Sequence, residues 1–298
     1  MGRRQYWPMR SKLFVPGSRP ELFPKALASA ADSLSIDLQD AVAESRKAEA
    51  RAATLAFLGS AEAAASKKIL IVRVNIASHP GFAEDLRAMT HPRIDLINLP
   101  AVQSPDEVVA AGRLIEHYER EHGVSADRPI GILANIESAR GLRLAHEIAA
   151  AHPRVAGIQI GYADLFEDAG IARYDTANVH HVLMAMRLAA AEAGVFAYDG
   201  AYADIGNLEG FRVEAQLARR LGFLGKSCIH PKQIAIANES FGPSDKELDE
   251  ARRIVAAAKK AQADGVGAFT VDGKMVDLPF IRRAEALLRL FEPGGKPE

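Results

Sequence analysis

The chain has 298 residues and a mass of 32.1 kDa, with 48% hydrophobic and 25% charged residues, the make-up of a soluble, well-packed globule. Its 37 Lys and Arg against 38 Asp and Glu leave a net charge of -1, which excludes bulk attraction to nucleic acid or to an anionic membrane as its main business. The single cysteine, Cys228, allows no internal disulfide, no Cys/His cluster has zinc spacing and no apolar run reaches membrane-spanning length, so a reducing, cytoplasmic setting fits.

Met1-Gly2-Arg3-Arg4 is basic, but Gln5-Tyr6-Trp7-Pro8-Met9-Arg10 supplies neither an apolar core nor a small-residue cleavage site. The expectation is a short solvated arm, not an export signal. Strand-length apolar runs then alternate with helical patterns: Lys12–Pro16, Ser33–Leu38, Ile69–Asn75 and Ile94–Leu99, then Ile130–Ile136, Val155–Gly161, Val195–Tyr198 and Phe223–Ile229. Most are continuous runs, Ile69-Leu70-Ile71-Val72 the clearest, as expected of parallel strands buried on both faces. Between them, Val108, Ala111, Gly112 and Ile115 form one helical stripe, opened by Ser104-Pro105-Asp106-Glu107, and Val179, Val182, Met186 and Ala190 form another. Gly194 and Gly222 stand just past helix ends, where the left-handed conformation is expected. Eight such units predict an α/β fold, a (β/α)8 TIM barrel over residues 11–240, with a doubly wound open sheet as the runner-up. Residues 241–298 break the rhythm: a polar helix over Ser244–Ala263, a hairpin turning at Asp272-Gly273, a helix over Pro279–Leu290 and a glycine- and proline-rich tail.

In such a barrel the site lies at the C-terminal ends of the strands. Those ends read Asp37-Leu38-Gln39-Asp40, Arg73-Val74-Asn75, Asn135-Ile136-Glu137-Ser138, Gly161-Tyr162-Ala163-Asp164 and Asp199. Carboxylates gathered that closely need a cation, and an all-oxygen ligand set favours Mg²⁺. Arg73 suits a carboxylate or an enolate oxygen. The bland alternative makes Asp40 and Asp164 helix N-caps. Gly222-Phe223-Leu224-Gly225-Lys226-Ser227 is not a phosphate loop, because it lacks the first glycine and leads into a strand. His180 and His181 are consecutive and cannot chelate one ion, so one is expected solvated and one packed. No GxSxG elbow occurs and Cys228 lies in a buried strand, so nucleophilic catalysis has no candidate.

Leu13-Phe14-Val15-Pro16-Gly17-Ser18-Arg19-Pro20, Asp37-Leu38-Gln39-Asp40-Ala41-Val42, Arg73-Val74-Asn75, Ile136-Glu137-Ser138 and Gly161-Tyr162-Ala163-Asp164-Leu165 occur in that order. Gly225-Lys226-Ser227-Cys228-Ile229-His230-Pro231 and Asp272-Gly273-Lys274-Met275-Val276-Asp277 follow. From residue 11 to about 290 the chain resembles the citrate lyase β-subunit-like family of HpcH/HpaI aldolase type, which includes malyl-CoA, β-methylmalyl-CoA and citramalyl-CoA lyases. The resemblance implies a (β/α)8 barrel that cleaves or forms a carbon–carbon bond beside a thioester with Mg²⁺. It turns a 3-hydroxy-3-carboxyacyl-CoA into an acyl-CoA and a 2-keto acid. Carried over by position, Glu137 and Asp164 ligate Mg²⁺, and Asp37 and Asp40 hold metal-bound waters. Arg73 faces the carbonyl oxygen that becomes an enolate, and Phe14, Arg19 and Lys25 contact substrate and CoA. Asp277, reaching from a neighbouring subunit, protonates the enolate carbon. Arg73, Asp277 and Asp40 are thus the catalytic groups, and residues 241–298 are a lid and oligomerisation segment of a homo-oligomer, a trimer or hexamer in relatives.

Two positions depart from the family pattern. Gln39 stands where a glutamate is common, and Ala101 where a lysine often follows Leu99-Pro100. Gln39 keeps an acceptor but removes a charge, so weaker Mg²⁺ binding is expected. Three alternatives stay open: a thioesterase on the same scaffold, a citryl-carrier lyase subunit, and a non-catalytic CoA- or metal-binding protein.

Overall fold

The computed structural model of the chain describes residues 8–263 and 265–291. The expected basic arm and the C-terminal tail lie outside them. The first compact unit runs to Phe241 and the second begins at Gly242.

The first unit is a (β/α)8 barrel. Its parallel strands are β1 (Ser11–Pro16), β2 (Ser33–Asp37), β3 (Ile69–Arg73), β4 (Leu96–Leu99), β5 (Gly131–Ile136), β6 (Val155–Ile160), β7 (Phe196–Tyr198) and β8 (Lys226–Cys228). Each pairs with its neighbour in sequence, and β8 pairs with β1. Between β7 and β8 the ring closes on a single bridge, Asp199–Lys226, with the Leu224 amide donating to the Ala197 carbonyl at 2.9 Å. The expected strands are all present: β1 starts one residue earlier, β2 to β7 are one or two residues shorter, and β8 loses three residues at its start and one at its end. Pairing stops where the chain bends into the loops.

Alternation sorts their side chains. Leu34, Ile36, Leu70, Val72, Ile97 and Leu99 face the helices and join the main apolar core. The residues between them face the barrel interior. Met9, Ile71, Leu96, Leu133 and Tyr198 form an apolar plug toward the N-terminal ends. Two residues further along the strands come Ser35, Asn98 and Asn135, then Asp37 and Glu137. The interior therefore changes from apolar to polar to charged toward the C-terminal mouth.

The surrounding helices follow the expected stripes. In the helix Pro105–His122, Val108, Ala111, Gly112 and Ile115 are buried, Ser104 caps the Glu107 amide at 3.4 Å, and Gly123 ends it at φ 67°. Gly112 is required there, since a Cβ would lie 2.8 Å from the His152 ring. Gly194 and Gly222 take φ 66° and 85° as expected. His180 and His181 are both exposed, which corrects the expectation that one is packed. The buried stripe of their helix runs through Val179, Val182 and Met186 and leaves both histidines on the outer side.

In the second unit, the helix Asp245–Ala263 is opened by a capping box, with the Ser244 amide donating to Glu247 at 2.8 Å and the Glu247 amide to Ser244 Oγ at 3.2 Å. The hairpin β9 (Phe269–Val271) and β10 (Lys274–Val276) turns on Asp272 and Gly273 at φ 49° and 77°, the left-handed pair of a type I′ turn. With the helix Leu278–Phe291 these elements enclose a small core of Ala251, Ile254, Val276 and Ala284.

Candidate functional site at the barrel mouth

Asp37 ends β2 with its carboxylate buried and pointing inward. Its Oδ1 accepts from Arg73 Nε at 2.8 Å and from the Gln39 amide at 3.0 Å. Its Oδ2 accepts from Arg73 Nη2 at 2.6 Å and from the Ala41 amide at 3.1 Å. This bidentate pair fixes the guanidinium in one plane. Arg73 Nη1 also reaches Asp40 at 3.3 Å, and its guanidinium lies 5.1 Å from the centre of the Phe14 ring. Burial opposes the charge on Arg73, but the bond to Asp37, then the fields of Asp40 and Glu137, hold it more firmly protonated than a free arginine. With four donors on its two oxygens, Asp37 is committed to orienting Arg73.

Glu137, just past β5, is buried. Its Oε1 accepts from Asn135 Nδ2 and its Oε2 from the Ala101 amide, both at 2.9 Å. Asn135 is itself oriented by Asn98 Nδ2 at 2.6 Å. Ala101 takes a positive φ of 46°, a conformation uncommon for alanine, and that bend turns its amide onto Glu137. Gly161 completes the seat, since a Cβ there would lie 2.4 Å from Glu137 Cγ and 2.6 Å from Oε1. Burial pushes the Glu137 carboxyl above the ordinary range, with a smaller push from Asp164, while Arg73 and the two donors pull it down.

Asp164 is exposed in the first turn of the helix Tyr162–Ala169, whose N-cap is Gly161. Asp40 is exposed too, and the next helical turn is opened by Ala43. Neither is an N-cap, so capping does not account for them. Partial burial raises the Asp40 carboxyl, as do Asp37 and Asp164, while Arg73 lowers it. Among the described residues, Gln39 Oε1 beside this group is buried without a hydrogen-bond partner.

These groups fit a hard cation. Glu137 is a buried carboxylate with raised proton affinity and spare lone pairs, Asp164 is an exposed one within its field, and Gln39 offers an uncommitted carbonyl oxygen. Among the described residues no three His, Cys, Asp or Glu groups come together as a complete metal cage. Mg²⁺ is commonly held by one or two carboxylates and keeps its remaining positions for water and substrate.

The other expected residues divide. Phe14 is half-buried under Arg73, whereas Arg19 and Lys25 are exposed in the segment after β1, and Arg19 pairs with Glu21 at 2.9 Å. Asp277 lies in the second unit, half-buried between β10 and the last helix, with Oδ1 unpartnered among the described residues. Asp199 does not join the acidic group. It follows the inward Tyr198, so alternation turns it to the helix side. There Lys226 Nζ donates to it at 2.7 Å and Tyr162 Oη at 2.7 Å, and Lys226 also donates to Glu214 at 2.7 Å. Arg173 closes that buried network on Glu214 at 2.7 Å and lies 4.0 Å from the Tyr162 ring centre. Sequence reasoning missed Lys226, Glu214 and Arg173, and it missed Lys12, which is buried inside the barrel. The parity of Lys12 with Phe14 along β1 is the signal that would have found it.

The family model described as HpcH/HpaI aldolase/citrate lyase matches residues 10–231. The chain is 37% identical to an L-malyl-CoA/β-methylmalyl-CoA lyase of Cereibacter sphaeroides over 96% of this chain and 95% of that one. It is 35% identical to the citrate lyase β subunit of Leuconostoc mesenteroides, over 94% and 92%. Among solved structures, CitE from Mycobacterium tuberculosis, in complex with magnesium, acetoacetate and coenzyme A, superposes with a TM-score of 0.73 at 33% identity, covering 96% of this chain and 98% of that one. The fold, the strand-end groups and these likenesses agree, and the chain belongs to the HpcH/HpaI aldolase/citrate lyase family.

Proposed function

We propose that the protein is a Mg²⁺-dependent carbon–carbon lyase. It cleaves, or in reverse forms, a 3-hydroxy-3-carboxyacyl-CoA such as malyl-CoA or citramalyl-CoA, giving an acyl-CoA and a 2-keto acid. The observation that carries this reading is the Asp37-clamped Arg73 beside the buried Glu137. One fixed cation faces one seated carboxylate, and no nucleophile stands among them. Relatives named as lyases on CoA and citrate substrates support it.

Glu137 and Asp164 would hold the ion, with Gln39 and Asp40 toward its outer side. When bound, Mg²⁺ supplies a Lewis acid for the α-hydroxy acid. Asp40, whose raised proton affinity suits a base, takes the hydroxyl proton. The carbon–carbon bond then breaks, the carbon that bore the hydroxyl becomes the keto carbon, and the electron pair moves onto the thioester carbonyl oxygen. Arg73 stabilises that oxygen. Its guanidinium is fixed beforehand by Asp37, so little reorganisation is needed when the charge develops. Phe14 bounds the acyl group, and Arg19 and Lys25 meet the CoA moiety. Asp277 delivers a proton to the enolate carbon, from the second unit of a neighbouring subunit in a homo-oligomer.

Purified protein incubated with Mg²⁺ and a panel of such thioesters should release glyoxylate or pyruvate, and Glu137→Ala should abolish the release. A protein that binds Mg²⁺ yet turns over none of them contradicts the proposal. Free malate plus CoA would make it a thioesterase, and turnover only of a carrier-protein thioester would make it a citrate lyase subunit.

A further inference from the structure

Lys12 is fully buried inside the barrel, and among the described residues no carboxylate lies within ion-pair distance of it. Its Nζ donates to Gln159 Oε1 on β6 and lies 4.6 Å from the centre of the Phe14 ring and 5.3 Å from that of Tyr198. Arg73 uses the same Phe14 ring at 5.1 Å. The two nitrogenous groups therefore share one aromatic platform and stand no more than about 10 Å apart. A lysine in such a place is unusual, because a buried ammonium without a counter-ion is costly and releases its proton instead.

The charge around the mouth gives this amine a use. Asp37, Asp40, Glu137 and Asp164 outnumber Arg73 and Lys47, whose Nζ donates to the Leu38 and Gln39 carbonyls, by two negative charges. A divalent cation balances these, so the carboxylate that the proposed substrates bring and the enolate they develop meet no remaining counter-charge. We infer that Lys12 is a second, reserve cation of the site: an enclosed amine with no carboxylate partner among the described residues, whose protonation increases when an anionic 2-keto acid binds at the mouth. The inference rests on the lyase reading and specifies how that site accepts its anionic substrate.

The groups facing Lys12 are consistent with this role. Burial is the largest influence and favours the neutral amine, as does Arg73 on β3. Glu137 beyond β5, Asp37 on β2 and Cys228 on β8 favour the ammonium, and the Tyr198 ring from β7 presents a face attractive to cations. An anion held at Arg73, itself within about 10 Å of Lys12, would shift the protonation equilibrium roughly tenfold at an effective dielectric near 20. Arg73 is permanently charged and paired with Asp37, and cannot respond in this way. Lys12 is fully buried and is assigned no contact with substrate. It acts through the field as a positioning residue.

The test is calorimetric titration of the Mg²⁺-loaded protein with pyruvate in two buffers of different ionisation enthalpy, repeated from pH 6 to 9. Wild type should take up a fraction of a proton that varies with pH, and Lys12→Met should take up less while binding pyruvate more weakly. Pyruvate binding with the same proton uptake in both proteins overturns the inference. No pyruvate binding at all overturns the lyase reading with it. If Lys12→Met fails to fold, wild type labelled with ¹³C-lysine decides. One Cε resonance should titrate below the others in the free protein and move toward its protonated position on adding pyruvate. A Lys12 resonance that stays protonated throughout refutes the inference.

Discussion

Gly161→Ala gives the proposed metal seat its sharpest perturbation, because the three atoms nearest the added methyl all belong to the Glu137 side chain. Gly161 is extended, with φ -112° and ψ 102°, so alanine adopts its backbone without strain. By restricting the unfolded chain, the change alone would stabilise by about 0.4–1 kcal/mol. The new Cβ, however, falls 2.4, 2.6 and 2.9 Å from Cγ, Oε1 and Cδ of Glu137. The tightest clashes all fall on that side chain, so the carboxylate moves and forfeits its bonds from Asn135 and the Ala101 amide. Each is a bond to a charged group worth about 1.5–3 kcal/mol. The expected net loss of stability is therefore about 2–5 kcal/mol, or roughly 4–20 °C in melting temperature for a unit of this size. Displacing a ligand also weakens Mg²⁺ binding, at least by the roughly 10–100-fold typical of losing a ligand's supporting contact. Calorimetric titration of Mg²⁺ and thermal melts read both quantities. Gly59→Ala serves as control, since its Cβ would meet only the Ala56 and Leu55 carbonyls at ordinary contact distances. Mg²⁺ affinity in Gly161→Ala within threefold of wild type would refute the assignment of Glu137 as a ligand.

Other expectations follow from the same geometry. Arg73→Lys keeps a charge but loses the bidentate clamp on Asp37, so kcat should fall about 10²–10³-fold with Mg²⁺ affinity little changed; a loss under tenfold would contradict the enolate role. Lys226→Met leaves Asp199 buried without its cation and Glu214 with Arg173 alone, and urea unfolding should show a cost of about 3–5 kcal/mol. Because Glu137 binds its proton more tightly folded than unfolded, its contribution to metal-free stability is full below the unfolded carboxylate range and is lost as pH rises through the folded value. Glu137→Gln should flatten that dependence, and wild-type Mg²⁺ affinity should keep rising with pH beyond the ordinary carboxylate range, measurable by titration from pH 4.5 to 7.5. Asp277→Asn should abolish turnover while leaving Mg²⁺ affinity unchanged, which separates the proton donor from the metal seat.

The fold was legible because the runs around Ile71, Ile97 and Ile132 carry apolar residues on both faces, a pattern only a sheet covered on both sides explains. The turn at Asp272-Gly273 was legible for a local reason, the left-handed φ that both residues adopt. The charged site was legible as far as chain order extends, since Asp37, Arg73 and Glu137 stand at strand ends on the inward parity. Asp199 has the same position in sequence but the opposite parity. A strand as short as Phe196–Tyr198 gives too little alternation to read which side it faces. Lys12 escaped because a lysine near a strand start reads as an exposed end, and only the closed barrel shows that it is enclosed. The task of Asp37 was hidden for another reason: its four donors come from Arg73 and from the bend at Gln39–Ala41, and composition does not encode such a convergence.

The central claim is that the barrel mouth breaks a carbon–carbon bond, and one measurement meets it directly: product analysis after incubation of the protein with Mg²⁺ and malyl-CoA or citramalyl-CoA. The account predicts acetyl-CoA together with glyoxylate or pyruvate in equal amounts, dependent on Mg²⁺ and absent in Glu137→Ala. Free CoA with the intact hydroxy acid, or no product from a protein that binds Mg²⁺, would contradict it.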